Sequence, residues 1–85
     1  MEASALEESI QKFLADVIRL DIAPVARDLE LVSDGHLDSM DLVRIAGHLE
    51  DLLDLEIPDD DVNAEQLGSV DRIFAYLKRR GSLSG

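Results

Sequence analysis

Cysteine is absent from this 85-residue chain, so disulfides and thiolate metal sites are excluded. Aromatic residues are scarce at 4%, with no tryptophan, so any core is built mainly from Leu, Ile, Val and Ala. Bases are few: eight Lys and Arg against nineteen Asp and Glu leave a net charge of −11. A phosphate backbone would repel such a surface, which argues against nucleic acid as a partner. No apolar run approaches the roughly 18 residues of a membrane span, which argues against membrane insertion. The N-terminal MEASALEES lacks the basic-then-apolar order of a signal peptide. With nothing pointing to export, the expected compartment is the cytoplasm, and the expected state is a monomer.

What is present is regular. A hydrophobic fraction of 46% argues against disorder, and the length suits one domain with a single modest core. Leu6, Ile10, Phe13, Leu14, Val17 and Ile18 repeat at helical spacing and predict a first helix over about 4–20, capped by Ser4. Ala23-Pro24 is expected to end it, because proline disfavours helix in the residue before it. A long connection over 21–38 carries Leu29, Leu31 and Val32, expected to tuck onto the core, and Asp34-Gly35 marks a turn. Leu42, Ile45, Leu49 and Leu52 predict a second helix over 39–54, with Val43, Ala46 and Leu53 beside the stripe. Gly47 interrupts it with a poor helix former, costing roughly 1 kcal/mol relative to alanine, and serves either close packing or space.

Glu56-Ile57-Pro58 breaks the second helix, and Asp59, Asp60 and Asp61 suit the positive end of a short helix over 59–64. The last helix begins at a Ser69 cap and shows Val70, Ile73, Phe74 and Leu77 on one face. Lys78, Arg79 and Arg80 suit its negative end, and Gly81 stops it. No alternating run reads as a strand. The expected fold is all-α: a small bundle of three main helices and one short helix, with the domain over 1–80 and a flexible tail over 81–85.

Three candidate chemistries follow from the residues. Asp59, Asp61 and Asn63 resemble the opening of a calcium loop, but Ala64 and Val70 stand where the glycine and the bidentate acid belong. His36 and His48 have no further histidine or cysteine with which to complete a zinc site. Ser39, between Asp38 and Asp41 in SDGHLDSMDLVRI, admits three readings: a helix cap, a nucleophile or an attachment point. An exposed nucleophile of the strand-to-helix type needs glycines two positions either side, and Leu37 and Asp41 stand there instead. Capping by Asp38 or Ser39 explains one residue and leaves its neighbourhood unexplained. That neighbourhood is acidic: Asp38, Asp41, Glu50, Asp51, Asp54, Glu56, Asp59, Asp60 and Asp61 face a single base, Arg44. Such a run is either a solvated face or a docking surface for basic partners.

Leu37 to Pro58, LDSMDLVRIAGHLEDLLDLEIP, resembles the centre of an acyl carrier protein. Asp38-Ser39-Met40 matches the tripeptide that opens that family's second helix. Glu50, Asp51 and Asp54 match its acidic far end, Glu56-Ile57-Pro58 its exit, and Gly68-Ser69-Val70 the start of its last helix. The resemblance implies a four-helix carrier fold and no enzymatic activity. It also implies a 4′-phosphopantetheine arm, derived from coenzyme A, on Ser39 with Asp38 beside it. Implied partners are a phosphopantetheinyl transferase, an acyl- or aminoacyl-loading enzyme, and downstream synthase enzymes. Met40 and Leu42 would offer them apolar contacts; Asp41, Arg44, Glu50, Asp51 and Asp54 would offer charged ones. Ala46 and Gly47, if they face inward, leave room for an acyl chain.

Arg44 departs from the acid usual at that place in fatty-acid carriers and looks more like the peptidyl carriers of nonribosomal synthesis. The Leu-Asp-Ser-Met string resembles D-alanyl carriers and carriers of polyketide extender units. The rival reading is an unmodified acidic helical module that binds other proteins.

Overall fold

The structure, a computed structural model, describes residues 2–82; the last three residues of the expected 81–85 tail lie outside it. Four helices carry the fold: α1 (Ala3–Phe13), α2 (Ser39–Leu53), the single-turn α3 (Ala64–Leu67) and α4 (Val70–Arg79). No strand occurs among the described residues. Leu6, Ile10 and Leu14 from the first helical segment, Ile45 and Leu49 from α2, Leu67 from α3, and Val70, Ile73 and Leu77 from α4 are almost fully removed from water. Together they form one core of aliphatic side chains, as the scarcity of aromatics requires.

Helix α1 departs from expectation at both ends. Glu2 holds the cap position without a side-chain cap bond, and Ser4 instead donates its hydroxyl to the Glu2 carboxylate at 3.2 Å. At the other end α-helical geometry stops at Phe13 and gives way to a π-helical turn over Leu14–Ile18, closed by Arg19 at φ +66°. The wider turn delays the side chains around the axis. Val17, placed inward by α periodicity, is therefore exposed, and Ile18 is only half-buried. The chain has left the helix before Ala23-Pro24 is reached.

The connection to α2 is held by specific bonds. Gln11 takes both backbone groups of Val25, accepting from its N–H at 2.7 Å and donating to its carbonyl at 2.8 Å. Leu31 is buried, its N–H donates to the Gly68 carbonyl at 2.7 Å, and the Leu31 carbonyl accepts from His36 and Leu37. Arg27 lies over the Phe74 ring at 4.4 Å, and its carbonyl accepts from the Asp71 N–H. Leu29 and Val32 pack against the core beside Leu31.

After α2 the short helix expected over 59–64 is divided. A 3₁₀ turn spans Asp59–Asp61, Val62 leaves helical conformation, and Asn63 caps α3 by accepting from the Gln66 N–H at 2.9 Å. Gly68 then turns the chain into α4; a Cβ there would collide with the Ala64 carbonyl. Ser69 caps α4 from a buried position, accepting from the Arg72 N–H at 3.1 Å. Gly81, at φ +72°, closes that helix as expected. Tyr76 is buried, and its hydroxyl donates to Asp61 at 2.7 Å, fastening the 3₁₀ turn to α4.

Candidate functional site

The start of α2 decides how Ser39 is presented. Asp38 holds the extended conformation of a cap, and its carboxylate accepts from the Asp41 N–H at 2.9 Å. Asp41 returns the bond, accepting from the Asp38 N–H at 3.2 Å, so the two acids close a capping box around the serine. Ser39 is the first helical residue and is exposed, and its hydroxyl takes no part in the cap. The Leu42 N–H already reaches the Asp38 carbonyl. That leaves the N–H groups of Ser39 and Met40 without a protein partner among the described residues. A helix N-terminus with open N–H groups favours an anionic oxygen, so these residues fit a phosphodiester joined at Ser39. The carboxylates of Asp38 and Asp41 oppose that attraction, and their bonds to backbone N–H groups hold them in place.

Beside Ser39 lies a cleft of about 320 Å³ between α2 and the segment that follows it. It runs from Ser39 and Met40 past Val43 and Ala46 to Ile57 and Val62. Ala46 is buried at its wall, where a longer side chain would fill the space. Glu50 also lines it, and its carboxylate accepts from the Ile57 N–H at 2.9 Å, which ties the cleft's far wall to α2. Gly47 does not share this role: a Cβ at that position would meet nothing within 4 Å, so the residue neither packs closely nor opens the interior.

The expected partner-contact residues divide by exposure. Met40 is 63% exposed, whereas Leu42, expected to stand beside it, is 3% exposed and belongs to the core. The stripe that buries Ile45 and Leu49 takes Leu42 with it, since residues three and seven apart share a helix face. Val43, 53% exposed, holds the outward apolar position instead. Asp51 and Asp54 are exposed, while Glu50 and Asp41 are partly withdrawn into structural bonds. Arg44 is exposed and meets Asp41 only at 4.0 Å, a surface ion pair too loose to restrain it. Asp54, at φ +52°, also ends α2, three residues before Ile57.

His48 lies on the flank of α2 and joins it to α1. Its ring stacks on Phe13 with centroids 4.3 Å apart, and its Nε2 lies 3.0 Å from the Ser9 hydroxyl. Burial lowers its pKa from the ordinary value, and the charge of Asp51 opposes this less strongly. Folding therefore favours the neutral ring. The stabilisation is complete above the unfolded value of about 6.5 and is lost as pH falls below it, because the unfolded chain binds the proton first. Urea midpoints measured at pH 7.5 and 5.5 are expected to fall with acidification. They are expected to fall less in His48→Phe, which retains a stacking ring but cannot titrate. Equal slopes in the two proteins would contradict this.

The profile of a protein family described as "Phosphopantetheine attachment site" matches residues 8–77, most of the chain and all of the helix start and cleft. The chain belongs to the phosphopantetheine-attachment family of acyl carrier proteins. Its relatives include the acyl carrier protein of Syntrophobacter fumaroxidans, 33% identical over 79 residues, covering 93% of this chain and 95% of that protein. The acyl carrier protein of Helicobacter pylori is 35% identical over 74 residues, covering 87% and 92%. That of Lactobacillus johnsonii is 38% identical over 76 residues, covering 85% and 92%. No solved structure matches the chain significantly. As a member of this family the chain is a carrier and not a catalyst, and its cofactor is phosphopantetheine. No helix among the described residues is long and apolar enough to cross a membrane.

Proposed function

We propose that this chain is a cytoplasmic carrier that holds acyl or aminoacyl intermediates on a 4′-phosphopantetheine arm at Ser39. It delivers them to enzymes of fatty-acid, polyketide or nonribosomal-type biosynthesis. The supporting observation is the division of labour at the start of α2. Asp38 does the capping, so the exposed Ser39 hydroxyl has no structural duty. When bound, the arm supplies the terminal thiol that a chain without cysteine lacks, and thioesters form on that thiol. Ser39 would supply the ester oxygen, the open N–H groups of Ser39 and Met40 would hold the phosphate, and the cleft lined by Val43, Ala46 and Ile57 would offer apolar shelter. Neither Asp38 nor Asp41 hydrogen-bonds the Ser39 hydroxyl, their bonds going to each other's backbone N–H, so a phosphopantetheinyl transferase would supply the base for loading. Met40, Val43, Asp51 and Asp54 present the exposed face to partner enzymes, and acids at such a rim steer association more than they add affinity.

Incubation of the full chain with coenzyme A, magnesium and a broad-specificity phosphopantetheinyl transferase is expected to add the mass of one arm and no more. An unmodified interaction module would gain no mass, and that result would overturn the carrier reading.

A further inference from the structure

A second cleft lies where the first helical segment meets the flank of α2 at His48, nine residues and about 13 Å along the axis from Ser39. Its volume is about 320 Å³, and Ser9, Lys12, Phe13, Asp16, Val17 and His48 line it. Val17 borders the cleft because the π-helical turn carries that side chain outward. At its wall the Ser9 hydroxyl lies 3.0 Å from Nε2 of His48. The Phe13 ring stacks on the imidazole, with centroids 4.3 Å apart and planes 19° apart, which fixes the plane of the ring. Burial keeps the imidazole neutral near pH 7, with one nitrogen bare, while the charge of Asp51 eases the arrival of a proton on the ring.

A hydroxyl within hydrogen-bond reach of a neutral imidazole is the pairing that makes serine a nucleophile. With the ring proton on Nδ1, Nε2 accepts from Ser9 and can take its proton. Lys12, three residues from Ser9 on the same helix face, brings a cation to the cleft where charge would develop on an acyl oxygen. Phe13 and Val17 offer apolar surface to a short acyl chain. Ser4, on the same helix, has no such base: its hydroxyl meets only the Glu2 carboxylate, at 3.2 Å. We propose that Ser9 is a second modification site, an acceptor that takes a short apolar acyl group from a thioester. The Ser9 oxygen bonds to the carbonyl carbon while its proton passes to Nε2 of His48. The carbon–sulfur bond breaks, and His48 returns the proton to the departing thiolate, which leaves as a thiol. Neither reactant is oxidised or reduced. One ester forms per chain, so the chain is acylated and turns nothing over. The site needs no arm on Ser39 and stands apart from the carrier reading.

The test incubates the full chain with S-phenyl thiobutyrate, without coenzyme A or transferase, and follows intact mass over time. Cleavage after Lys12 releases residues 1–12, a peptide whose serines are Ser4 and Ser9. Tandem mass spectrometry of that peptide gives the rate of butyryl transfer to each. A positioned general base contributes about 10²–10⁴-fold, so Ser9 is expected to acylate about 100-fold faster than Ser4. His48→Phe keeps a ring to stack on Phe13 and is expected to slow Ser9 about 100-fold, to the rate of Ser4. Because Ser4 is an internal control in the same helix, the wild-type ratio is decisive even if the variant folds poorly. Equal rates at Ser4 and Ser9, butyryl groups only at other residues, or an undiminished Ser9 rate in His48→Phe overturns the acylation proposal. Each of these results leaves the carrier reading intact.

Discussion

Ser39→Ala is expected to take up no arm under conditions that load the wild type to completion, while unfolding within a degree or two of it. On the proposed reading the Ser39 hydroxyl oxygen is the atom to be esterified and no substitute stands in its place, so the loss is all-or-none. Retained stability follows from the local structure. The α2 cap belongs to Asp38, whose carboxylate meets the Asp41 N–H at 2.9 Å, and the exposed serine side chain makes no bond that alanine would remove. Were Ser39 itself the cap, its loss would cost about 1 kcal/mol, or several degrees in a domain of this size. Mass spectrometry and a thermal scan on the same sample separate the two roles. Destabilisation of that order would return Ser39 to a structural part.

The second large effect is expected from Leu49→Ala. Leu49 is wholly removed from water in the core cluster, on the face of α2 opposite the exposed stripe. Truncating a buried leucine removes its transfer free energy and leaves a partial cavity, together about 2–5 kcal/mol. A domain of 85 residues has a total stability of about 4–13 kcal/mol. The substitution therefore takes a large share of the whole and is expected to lower the unfolding temperature by about 10–25 °C. Urea titration gives the free energy directly. A loss under about 1 kcal/mol would contradict the view that one aliphatic core, with no disulfide or metal to assist it, holds the helices together.

Much of the fold was legible because side chains with local chemistry mark it. Asp38, Ser69 and Gly81 announce helix ends through backbone hydrogen bonds or a left-handed turn, and α2 and α4 lie close to where the sequence places them. The single core follows from periodicity and composition. What stayed hidden depends on contacts between distant residues or on small changes of helical pitch. The grip of Gln11 on Val25 joins residues fourteen apart through a side chain with no fixed preference, and nothing in the sequence signals it. The π-helical turn over Leu14–Ile18 rotates Val17 outward although its spacing fits an α-helical stripe. Asn63 divides the expected short helix because an amide side chain competes with the backbone, a signal present in the sequence but outweighed by the three aspartates before it.

At the candidate site the serine, its cap and the acidic surroundings were readable from sequence. The roles of Leu42 and Val43 were not, since adjacent aliphatic residues differ only by about 100° around the axis. Three-dimensional packing decides which of them faces water. Gly47 illustrates the same limit: sequence marks it as unusual, and only the open space around its missing Cβ shows that close packing inside the molecule does not require it.

The central claim is that the arm is carried by Ser39 and by no other group. Cleavage after Arg27 and Arg44 releases residues 28–44, a peptide that contains two serines, Ser33 and Ser39. Tandem mass spectrometry of that peptide from transferase-loaded protein is expected to place one phosphopantetheine on Ser39 and leave Ser33 bare. An arm found on Ser33, or on any other peptide with this one unmodified, would contradict the account.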